Sequence, residues 1–451
     1  MRFTVREIAT AVHGVVAGLA SGGDLDDIDV ARVVIDSRDV APGDLFVAVV
    51  ADRDGHRFID AARSSGAVAW MTSVPDERRG AIVVDNTLAG LQRLGGVARE
   101  RIVGGVVGIT GSSGKTSTKD LASSILEERG PIARSERSFN NELGVPLTLV
   151  NAPDTAWAGV VEMGARGVGH IAELCSIARP TVGVITNIGL AHREMFGSAE
   201  ATADAKGELI ESLPPSGTAV LNIDDAMFER LRRRGACRVL TFSSSGAPAA
   251  DLRASPVRLD TLLHPSFRME TPWGSFDVQL GVSGAHQVEN ALAAAGASMA
   301  LGASTSNVQV GLASATASPL RMDLSSLASG AFLLNDSYNA NPASMAAAFD
   351  ALTALDVERR IAVVGTMAEL GPDSAAEHRA IVEKARTQMI TLIVVDEPDY
   401  GPVPVAGIDG AMAALSQIGS PRAGDAILVK ASRVAGLERL ADALTRGASK
   451  P

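Results

Sequence analysis

The sequence predicts an α/β protein of three units, each built on a β-sheet with parallel strands and covered by helices. Short runs of Val, Ile, Leu and Ala alternate with helical segments along the chain, a pattern typical of parallel sheets. In the segment 105–118, a glycine-rich turn separates one such strand from the helix after it. The length of 451 residues fits two to four domains. We expect the units at 1–103, 104–318 and 319–451.

The composition is that of an ordinary globular protein, with 46% hydrophobic and 21% charged residues. Only 4% of the residues are aromatic, so the cores must consist mainly of Val, Leu, Ile and Ala. The formal charge of −11 argues against a nucleic-acid surface, which needs a concentrated basic patch. A phosphate ligand is still compatible with this charge, because it needs only a few local cations.

The cysteine usage and the first residues indicate a soluble cytoplasmic protein. Cys175 and Cys237 lie far apart without metal-ligand spacing, as expected of reduced thiols. Glu7 and His13 interrupt the start of the chain before an apolar signal segment forms. The alanine-rich run 291–303 is too short and too weakly apolar to span a bilayer.

The first unit is predicted to alternate short strands with helices. Its polar segments Asp36-Ser-Arg38, 42–46 and 54–58 lie at strand ends, where ligand groups are common in α/β units. Plain turn chemistry explains them equally well. The predicted strands are 33–36, 45–50, 67–72 and 81–84, and the predicted helices are 58–64 and 88–101.

The central unit begins with the strongest functional signal, a phosphate-binding loop. Val106, Val107 and Ile109 end a buried strand, and a helix is predicted from Thr116 to about Glu128. The turn between them directs backbone N–H groups and the positive end of the helix at one point. The strict pattern would have glycine at 109, so the loop is the variant T-G-x-x-G-K-T. The alternative is an ordinary turn with a surface lysine. We expect a nucleoside triphosphate to bind Thr110, Gly111, Ser112, Ser113, Gly114, Lys115, Thr116 and Ser117, with the Thr116 hydroxyl on Mg²⁺.

Polar residues also follow the next two predicted strands, 159–163 and 181–186. Glu162 lies at the end of the first, and Asn187 and His192 follow the second. The carboxyl ends of parallel strands meet at one edge, so these side chains should converge on the phosphate loop. Glu162 is suited to hold Mg²⁺. A solvated glutamate and a structural histidine are the plainer alternatives.

Two helices of the central unit carry further candidates. Lys206 lies on the predicted helix 199–213, where sequence alone favours a solvated lysine. His286 and Asn290 are four residues apart on the predicted helix 285–301 and project from one face. They could contact the edge of a purine, or simply cap and pack the helix.

The third unit is predicted to have strands at 331–334, 360–364, 392–395 and 426–429. After the first strand comes a loop dense in hydrogen-bonding groups, which favours ligand contact over a bare turn. Arg321 lies at the junction before it and could reach a transferred phosphoryl group. A solvated linker arginine is equally compatible. The loop candidates are Asp336, Tyr338, Asn339 and Asn341.

Taken together, these segments resemble the Mur ligase family, the ATP-dependent amino-acid ligases of peptidoglycan precursor synthesis. The resemblance extends in order over nearly the whole chain, and Ile109 and Arg193 are its main departures. Within the family, the segments 336–342, 365–371 and 430–433 resemble members that add D-alanyl-D-alanine. The other matching segments are 36–38, 42–44, 110–116, 140–146, 162–164, 186–187, 191–192 and 205–208, with His286, Asn290 and Arg321.

The resemblance implies ATP, two Mg²⁺ ions and a carbamate on Lys206 as cofactors. Thr116 and Glu162 would hold one Mg²⁺, and His192 with the Lys206 carbamate would serve the second. Lys115, Lys206, His192 and Arg321 would be the catalytic residues.

The resemblance also assigns substrates to the three units. The first would bind a UDP-sugar through Ser37 and Arg38, the central P-loop unit would bind ATP, and a Rossmann-like third unit would bind the dipeptide. Asn290 would contact adenine, Asp336 the ribose and Arg321 the phosphates. Further substrate contacts are expected at Asn140, Asn141, Arg166 and Asn341.

The implied reaction joins D-alanyl-D-alanine to UDP-N-acetylmuramoyl-tripeptide through an acyl phosphate, and we expect the enzyme to be a monomer. Two alternatives remain open at this point. One is a relative with another amine substrate, such as a sibling ligase or a folylpolyglutamate-synthase-like enzyme. The other is a scaffold or regulatory protein that binds ATP without turnover.

Overall fold

The computed structural model describes residues 1–17, 28–135, 139–189 and 196–447. These described residues form four β-sheets, of two, five, nine and five strands. In the described part of the chain, no helix is long and apolar enough to cross a membrane.

The N-terminal part holds the two-stranded sheet and the first five-stranded sheet. Strands β4, β5, β6 and β7 run parallel, and β2 joins β7 antiparallel at one edge. The strands are β1 Phe3–Thr4, β2 Val15–Val16, β3 Asp29–Val30, β4 Val33–Val34, β5 Leu45–Val47, β6 Ala69–Thr72 and β7 Ala81–Val83. The helices are Val5–Val12, Ile59–Ser64 and Thr87–Glu100, with a 3-10 turn at Gly55–Phe58.

The central sheet has the order β16-β15-β14-β13-β12-β11-β8-β10-β9. Strands β8 to β14 are parallel, as the sequence predicts, whereas β15 and β16 add an antiparallel extension that the sequence analysis did not foresee. The strands are β8 Val106–Thr110, β9 Ile132–Arg134, β10 Ala158–Glu162, β11 Val182–Ile185, β12 Thr218–Asn222, β13 Arg238–Ser243, β14 Leu252–Leu259, β15 Pro265–Thr271 and β16 Gly274–Gln279.

Helices cover both faces of the central sheet, which explains why β8, β10 and β11 are buried along their whole lengths. The alanine-rich helix Gln287–Ala300 packs against Lys115–Glu127, because small side chains allow a close approach. The remaining helices of this part are Gly144–Val150, His170–Ala178, Ala199–Glu211, Phe228–Leu231 and Thr305–Ser314.

The N-terminal and central parts share one hydrophobic cluster. Leu91 and Leu94 of the helix Thr87–Glu100 belong to it together with Val145 and Ile171 of the central helices. A Cβ on Gly95 would lie 2.7 Å from Cα of Pro146, so glycine is required for this close helix packing.

The C-terminal sheet has the order β17-β18-β21-β19-β20, with only β17 antiparallel. Hydrophobic clusters fill both of its faces. The strands are β17 Asp323–Ser326, β18 Phe332–Asn335, β19 Arg359–Val364, β20 Thr391–Val394 and β21 Asp425–Lys430. The helices are Pro342–Ala354, Ser374–Thr387, Gly407–Gln417 and Glu438–Gly447, with 3-10 turns at Gly371–Asp373, Pro398–Tyr400 and Arg433–Ala435.

The predicted α/β class is therefore confirmed. The parallel neighbours β18, β21 and β19 place the segments after Asn335, Lys430 and Val364 at one edge of the C-terminal sheet. The equivalent edge of the central sheet carries the ends of β8, β10 and β11.

Candidate active site

The glycine-rich loop lies between β8 and the helix Lys115–Glu127, as predicted, although the helix begins one residue earlier than expected. Gly111 and Gly114 have φ angles of 152° and 78°. A Cβ at Gly114 would lie 2.3 Å from Oδ1 of Asn290, a distance that no real Cβ tolerates. Only glycine allows the loop to pass this close to the neighbouring helix.

The β11 end holds the loop in place. The backbone N–H and the hydroxyl of Ser113 both donate to Oδ1 of Asn187, each at 3.1 Å. The Thr186 hydroxyl donates to the Ser113 carbonyl at 2.6 Å. The loop backbone is thus fixed by its neighbouring strand before any ligand binds, which lowers the cost of ordering it around an anion.

Lys115 folds back over the loop, and its Nζ donates to the Gly111 carbonyl at 2.8 Å. Burial lowers the pKa of Lys115, while the carboxylates of Glu162 and Glu369 oppose that shift and the Arg321 cation adds to it. An ammonium group beside a helix N-terminus suits the β- and γ-phosphates of a nucleotide.

Glu162 ends β10 beside the loop and is only 2% exposed. Its Oε2 accepts a hydrogen bond from the Thr116 hydroxyl at 2.7 Å, and its Oε1 accepts one from Nδ2 of Asn140 at 2.9 Å. A buried carboxylate and a hydroxyl in contact are hard oxygen donors, so the residues fit a Mg²⁺ ion. No cluster of three or more His, Cys, Asp or Glu side chains that could hold a metal occurs among the residues described.

Lys206 lies on the helix Ala199–Glu211 and is only 1% exposed, which contradicts the solvated-lysine interpretation. Its ammonium group lies 5.9 Å from the ring centroid of Phe196. Burial lowers the pKa of Lys206 to about 7, and the Lys115 cation adds to the effect. A lysine in this environment is neutral in a large fraction of molecules at neutral pH. His192, predicted as its neighbour, lies outside the described residues.

His286 and Asn290, the residues predicted to contact the base, lie at the start of the helix Gln287–Ala300, and Asn290 is next to Gly114 of the phosphate loop. Asn290 accepts a hydrogen bond from the Thr118 hydroxyl at 3.3 Å and donates one to Gln287 at 2.9 Å. His286 immediately precedes the helix Gln287–Ala300 rather than lying within its first turn. Desolvation lowers the pKa of His286, so the ring is neutral at neutral pH and can donate or accept one hydrogen bond at a base edge.

The C-terminal part contributes the cation of Arg321 to the site. The Arg321 guanidinium stacks on the Tyr338 ring at 4.2 Å. Its two neighbours, Leu320 and Met322, have φ angles of 65° and 50°, a left-handed conformation that costs energy for residues other than glycine. Arg321 lines the same cavity as the phosphate loop, and its cation contributes to the lowered pKa of Lys115, which argues against a solvated linker arginine.

Asp336 is engaged by both of its carboxylate oxygens. Oδ2 accepts from Nζ of the buried Lys430 at 2.5 Å, and Oδ1 accepts from the Met322 N–H at 3.1 Å. Lys430 also donates to the Asn339 carbonyl at 2.9 Å. This ion pair joins the ends of β18 and β21 and fixes the loop that carries Tyr338 and Asn339.

These elements surround one cavity of about 810 Å³ between the central and C-terminal parts. Asn141 and Asn341 line it while also accepting hydrogen bonds at the starts of helices. Thr110 and Gly111, predicted to bind the nucleotide, do not line the cavity, and neither do Ser37 and Arg38. The predicted residues that do line it are Ser112, Ser113, Gly114, Lys115, Thr116, Ser117, Asn140, Asn141, Glu162, Arg166, Asn187, Lys206, His286, Asn290, Arg321, Asp336, Tyr338, Asn339 and Asn341.

Ser37 and Arg38 are in the N-terminal part, where Arg38 forms an ion pair with Asp36 at 2.5 Å. The prediction that they bind a substrate end is not tested by this arrangement. Among the cavity residues that had no predicted site role are Lys430 and Glu369, which end or follow strands of the C-terminal sheet, and Glu289 beside Asn290. The position of the first two at strand ends is a signal that could have indicated them.

Two family models match the sequence. The Mur ligase middle domain matches residues 109–298, and the Mur ligase, glutamate ligase domain matches residues 320–433. The chain is 37% identical to the UDP-N-acetylmuramoyl-tripeptide–D-alanyl-D-alanine ligase of Mycobacterium tuberculosis, and the match covers 98% of both chains.

Solved structures show the same similarity. A crystal structure of MurF from Acinetobacter baumannii matches with a TM-score of 0.87 and 27% identity over 99% of both chains. The structure of MurF ligase from Thermotoga maritima in complex with ADP matches with a TM-score of 0.80 and 30% identity, over 93% of this chain and 98% of the other.

Proposed function

The chain belongs to the Mur ligase family, and on this basis we propose how its site performs the family reaction. It is an ATP-dependent ligase that joins D-alanyl-D-alanine to UDP-N-acetylmuramoyl-tripeptide, a step of peptidoglycan precursor synthesis. We further propose that the enzyme acts in the cytoplasm as a monomer, at the last cytoplasmic step that completes the pentapeptide precursor.

One observation supports this reaction above all others. A single cavity is lined by the phosphate loop and Glu162 on one side and by Arg321 and the segment 336–341 on the other. A scaffold that only bound a nucleotide would need the first set alone. Cations that face each other from two sheets are expected where a phosphoryl group is transferred between substrates.

In the first step, a carboxylate oxygen of the tripeptide forms a bond to the γ-phosphorus of ATP. The bond from that phosphorus to the β–γ bridging oxygen breaks, and ADP keeps the electron pair. Lys115 and Arg321 balance the negative charge that spreads over the transferred group. In the second step, the neutral amine of D-alanyl-D-alanine attacks the acyl carbon. The bond from that carbon to the phosphate oxygen breaks, inorganic phosphate leaves with the electron pair, and the nitrogen loses one proton to solvent.

We assign Thr116 and Glu162 to a Mg²⁺ ion, because their oxygens are buried and in contact beside the phosphate loop. When bound, the ion would neutralise phosphate charge. A second Mg²⁺ is assigned to His192 and a modified Lys206. Asn140 fixes the other oxygen of Glu162, so its role is to orient a metal ligand as well as to border the substrate.

We propose that Lys206 carries a carbamate. The neutral amine adds to CO₂ and loses one proton, which converts a potential cation into an anionic oxygen ligand. The burial of Lys206 and its pKa of about 7 supply the neutral amine that this chemistry requires.

The remaining contacts are proposed from position and chemistry. Asn290 and His286 would contact adenine and Asp336 the ribose, while Tyr338 and Asn339 border the nucleotide. Asn141, Arg166 and Asn341 would contact the peptide substrates. Ser37 and Arg38 would hold the uridine diphosphate end in the N-terminal unit, 1–103, and the C-terminal unit, 319–451, would receive the dipeptide.

The test is inorganic phosphate release with ATP, Mg²⁺, UDP-N-acetylmuramoyl-tripeptide and D-alanyl-D-alanine, each omitted in turn. We expect release only with all four components. Release without the dipeptide, or only with another amino acid, would contradict the proposed amine substrate. Binding of ATP without release under any combination would favour a non-catalytic role.

A further inference from the structure

Glu369 is a cavity residue to which neither the sequence nor the mechanism above gives a role. It lies on the loop 365–371 that follows β19, and its side chain is exposed to the cavity. Its φ angle is 65°, the left-handed conformation that residues other than glycine rarely adopt. Such strain persists only where the surrounding structure holds it, and it is concentrated at functional sites.

The two residues before Glu369 are fixed by side chains from other elements. The Met367 N–H donates to Nε2 of His378 at 2.9 Å, and Nδ1 of that buried ring donates to the Ser374 carbonyl at 2.8 Å. The Ala368 N–H donates to the Ser432 hydroxyl at 2.8 Å. A neutral imidazole and a hydroxyl therefore hold the loop in the conformation that presents Glu369.

The position of Glu369 relates it to the reacting groups. Its carboxylate and that of Glu162 are the two that favour the charged form of Lys115, so both are near the phosphate position. Glu162 contacts Thr116 and Asn140, and Asp336 contacts Lys430. Glu369 thus adds a further carboxylate, from the C-terminal sheet, to the cavity that the phosphate loop also lines.

We propose that Glu369 binds the ammonium group of the incoming dipeptide and places its nitrogen beside the acyl phosphate. This inference rests on the proposed function, because it assumes an amine cosubstrate that enters from the C-terminal part. Glu369 forms no covalent bond in this role, and the bound ammonium group loses one proton to solvent before its nitrogen attacks the acyl carbon. It recognises the positive charge of a free amino terminus, and so distinguishes an amine from a neutral isostere.

The test compares Glu369→Gln with the wild type in the phosphate-release assay. Because a charge-assisted hydrogen bond would be lost, we expect KM for D-alanyl-D-alanine to rise about tenfold to a hundredfold. KM for ATP should change less than about twofold. Glu383→Gln, on the exposed surface of the helix Ser374–Thr387, is the matched control and should behave as the wild type.

A second measurement separates charge recognition from a structural effect on the loop. D-lactoyl-D-alanine has a hydroxyl in place of the ammonium group, so its inhibition constant should be the same for the wild type and Glu369→Gln. Glu369→Asp should restore part of the affinity for D-alanyl-D-alanine, because it keeps the charge.

Equal loss of affinity for the dipeptide and for its hydroxyl isostere would overturn the inference, as would an unchanged KM for the dipeptide. Acyl phosphate trapped by hydroxylamine should still form in Glu369→Gln, because the first step does not use the amine. If the wild type itself released no phosphate with all substrates present, the proposed function would fail. If the wild type ligates normally and Glu369→Gln has the same KM for the dipeptide, this inference alone would be refuted.

Discussion

Replacing Lys206 by methionine should stabilise the fold at neutral and acidic pH while abolishing ligation. Lys206 is 1% exposed, and its pKa falls from 10.5 to about 7 on folding. The folded state therefore binds fewer protons than the unfolded state between these two pH values, so stability rises with pH in that window. Below about pH 7 the protein must hold a buried ammonium, and its cost is fully present.

The difference of about 3.5 in pKa corresponds to at most about 5 kcal/mol at ~1.4 kcal/mol for each pH unit. At pH 9 about 2 kcal/mol of this cost remains, and above pH 10.5 it vanishes. Methionine keeps most of the length and apolar surface of the lysine side chain without the charge. The free energy of unfolding of the variant should therefore exceed that of the wild type most at pH 6 and least at pH 10.

Urea unfolding of both proteins at pH 6, 7.5 and 9, in buffers free of CO₂, measures this difference directly. Lys384→Met is the control, because Lys384 is a partly exposed lysine paired with Asp350. If the difference in free energy of unfolding between the wild type and Lys206→Met did not change with pH, the reasoning would be refuted. With bicarbonate and Mg²⁺ added, carbamylation should raise the wild-type Tm and leave the variant unchanged, because the adduct forms only on the folded lysine.

Three further predictions concern the phosphate loop. Lys115→Met should lower kcat for phosphate release about 10²- to 10³-fold, because a preorganised cation is lost, and far-ultraviolet circular dichroism should confirm an intact fold. Asn140→Ala should weaken Mg²⁺ binding about 10- to 100-fold, measured by calorimetry, because Glu162 loses the donor that orients it; unchanged binding would contradict the proposed metal site. Gly114→Ala should abolish ATP binding in equilibrium dialysis, because its Cβ would lie 2.3 Å from Oδ1 of Asn290 at a φ of 78°, and near-normal binding would show that the loop can open at little cost.

Local sequence was sufficient for the α/β class and for the phosphate loop. A loop between a buried strand and a helix depends on glycine and lysine at fixed spacing, which interactions within the segment impose. Glu162 was predictable for a related reason, because it directly follows the apolar run of β10 and the ends of parallel strands share an edge. The domain boundaries at 103 and 318 stay predictions.

Solvation and pairing partners, by contrast, were decided by the tertiary structure. The sequence favoured a solvated Lys206, but the packing around its helix buries the side chain. The ion pair between Lys430 and Asp336 depends on β18 and β21 being neighbours in the sheet. Asn140 became a partner of Glu162 only because separate segments meet beside β10.

Glu369 shows the same limit most clearly. The sequence identified the loop 365–371 as a motif, but it did not predict the left-handed backbone of Glu369. That backbone is held by His378 and Ser432, which lie in other parts of the C-terminal unit. Sequence patterns report interactions between residues a few positions apart. The charge state and direction of a side chain in the cavity depend on residues that the fold brings together from distant positions, and only the tertiary structure determines them.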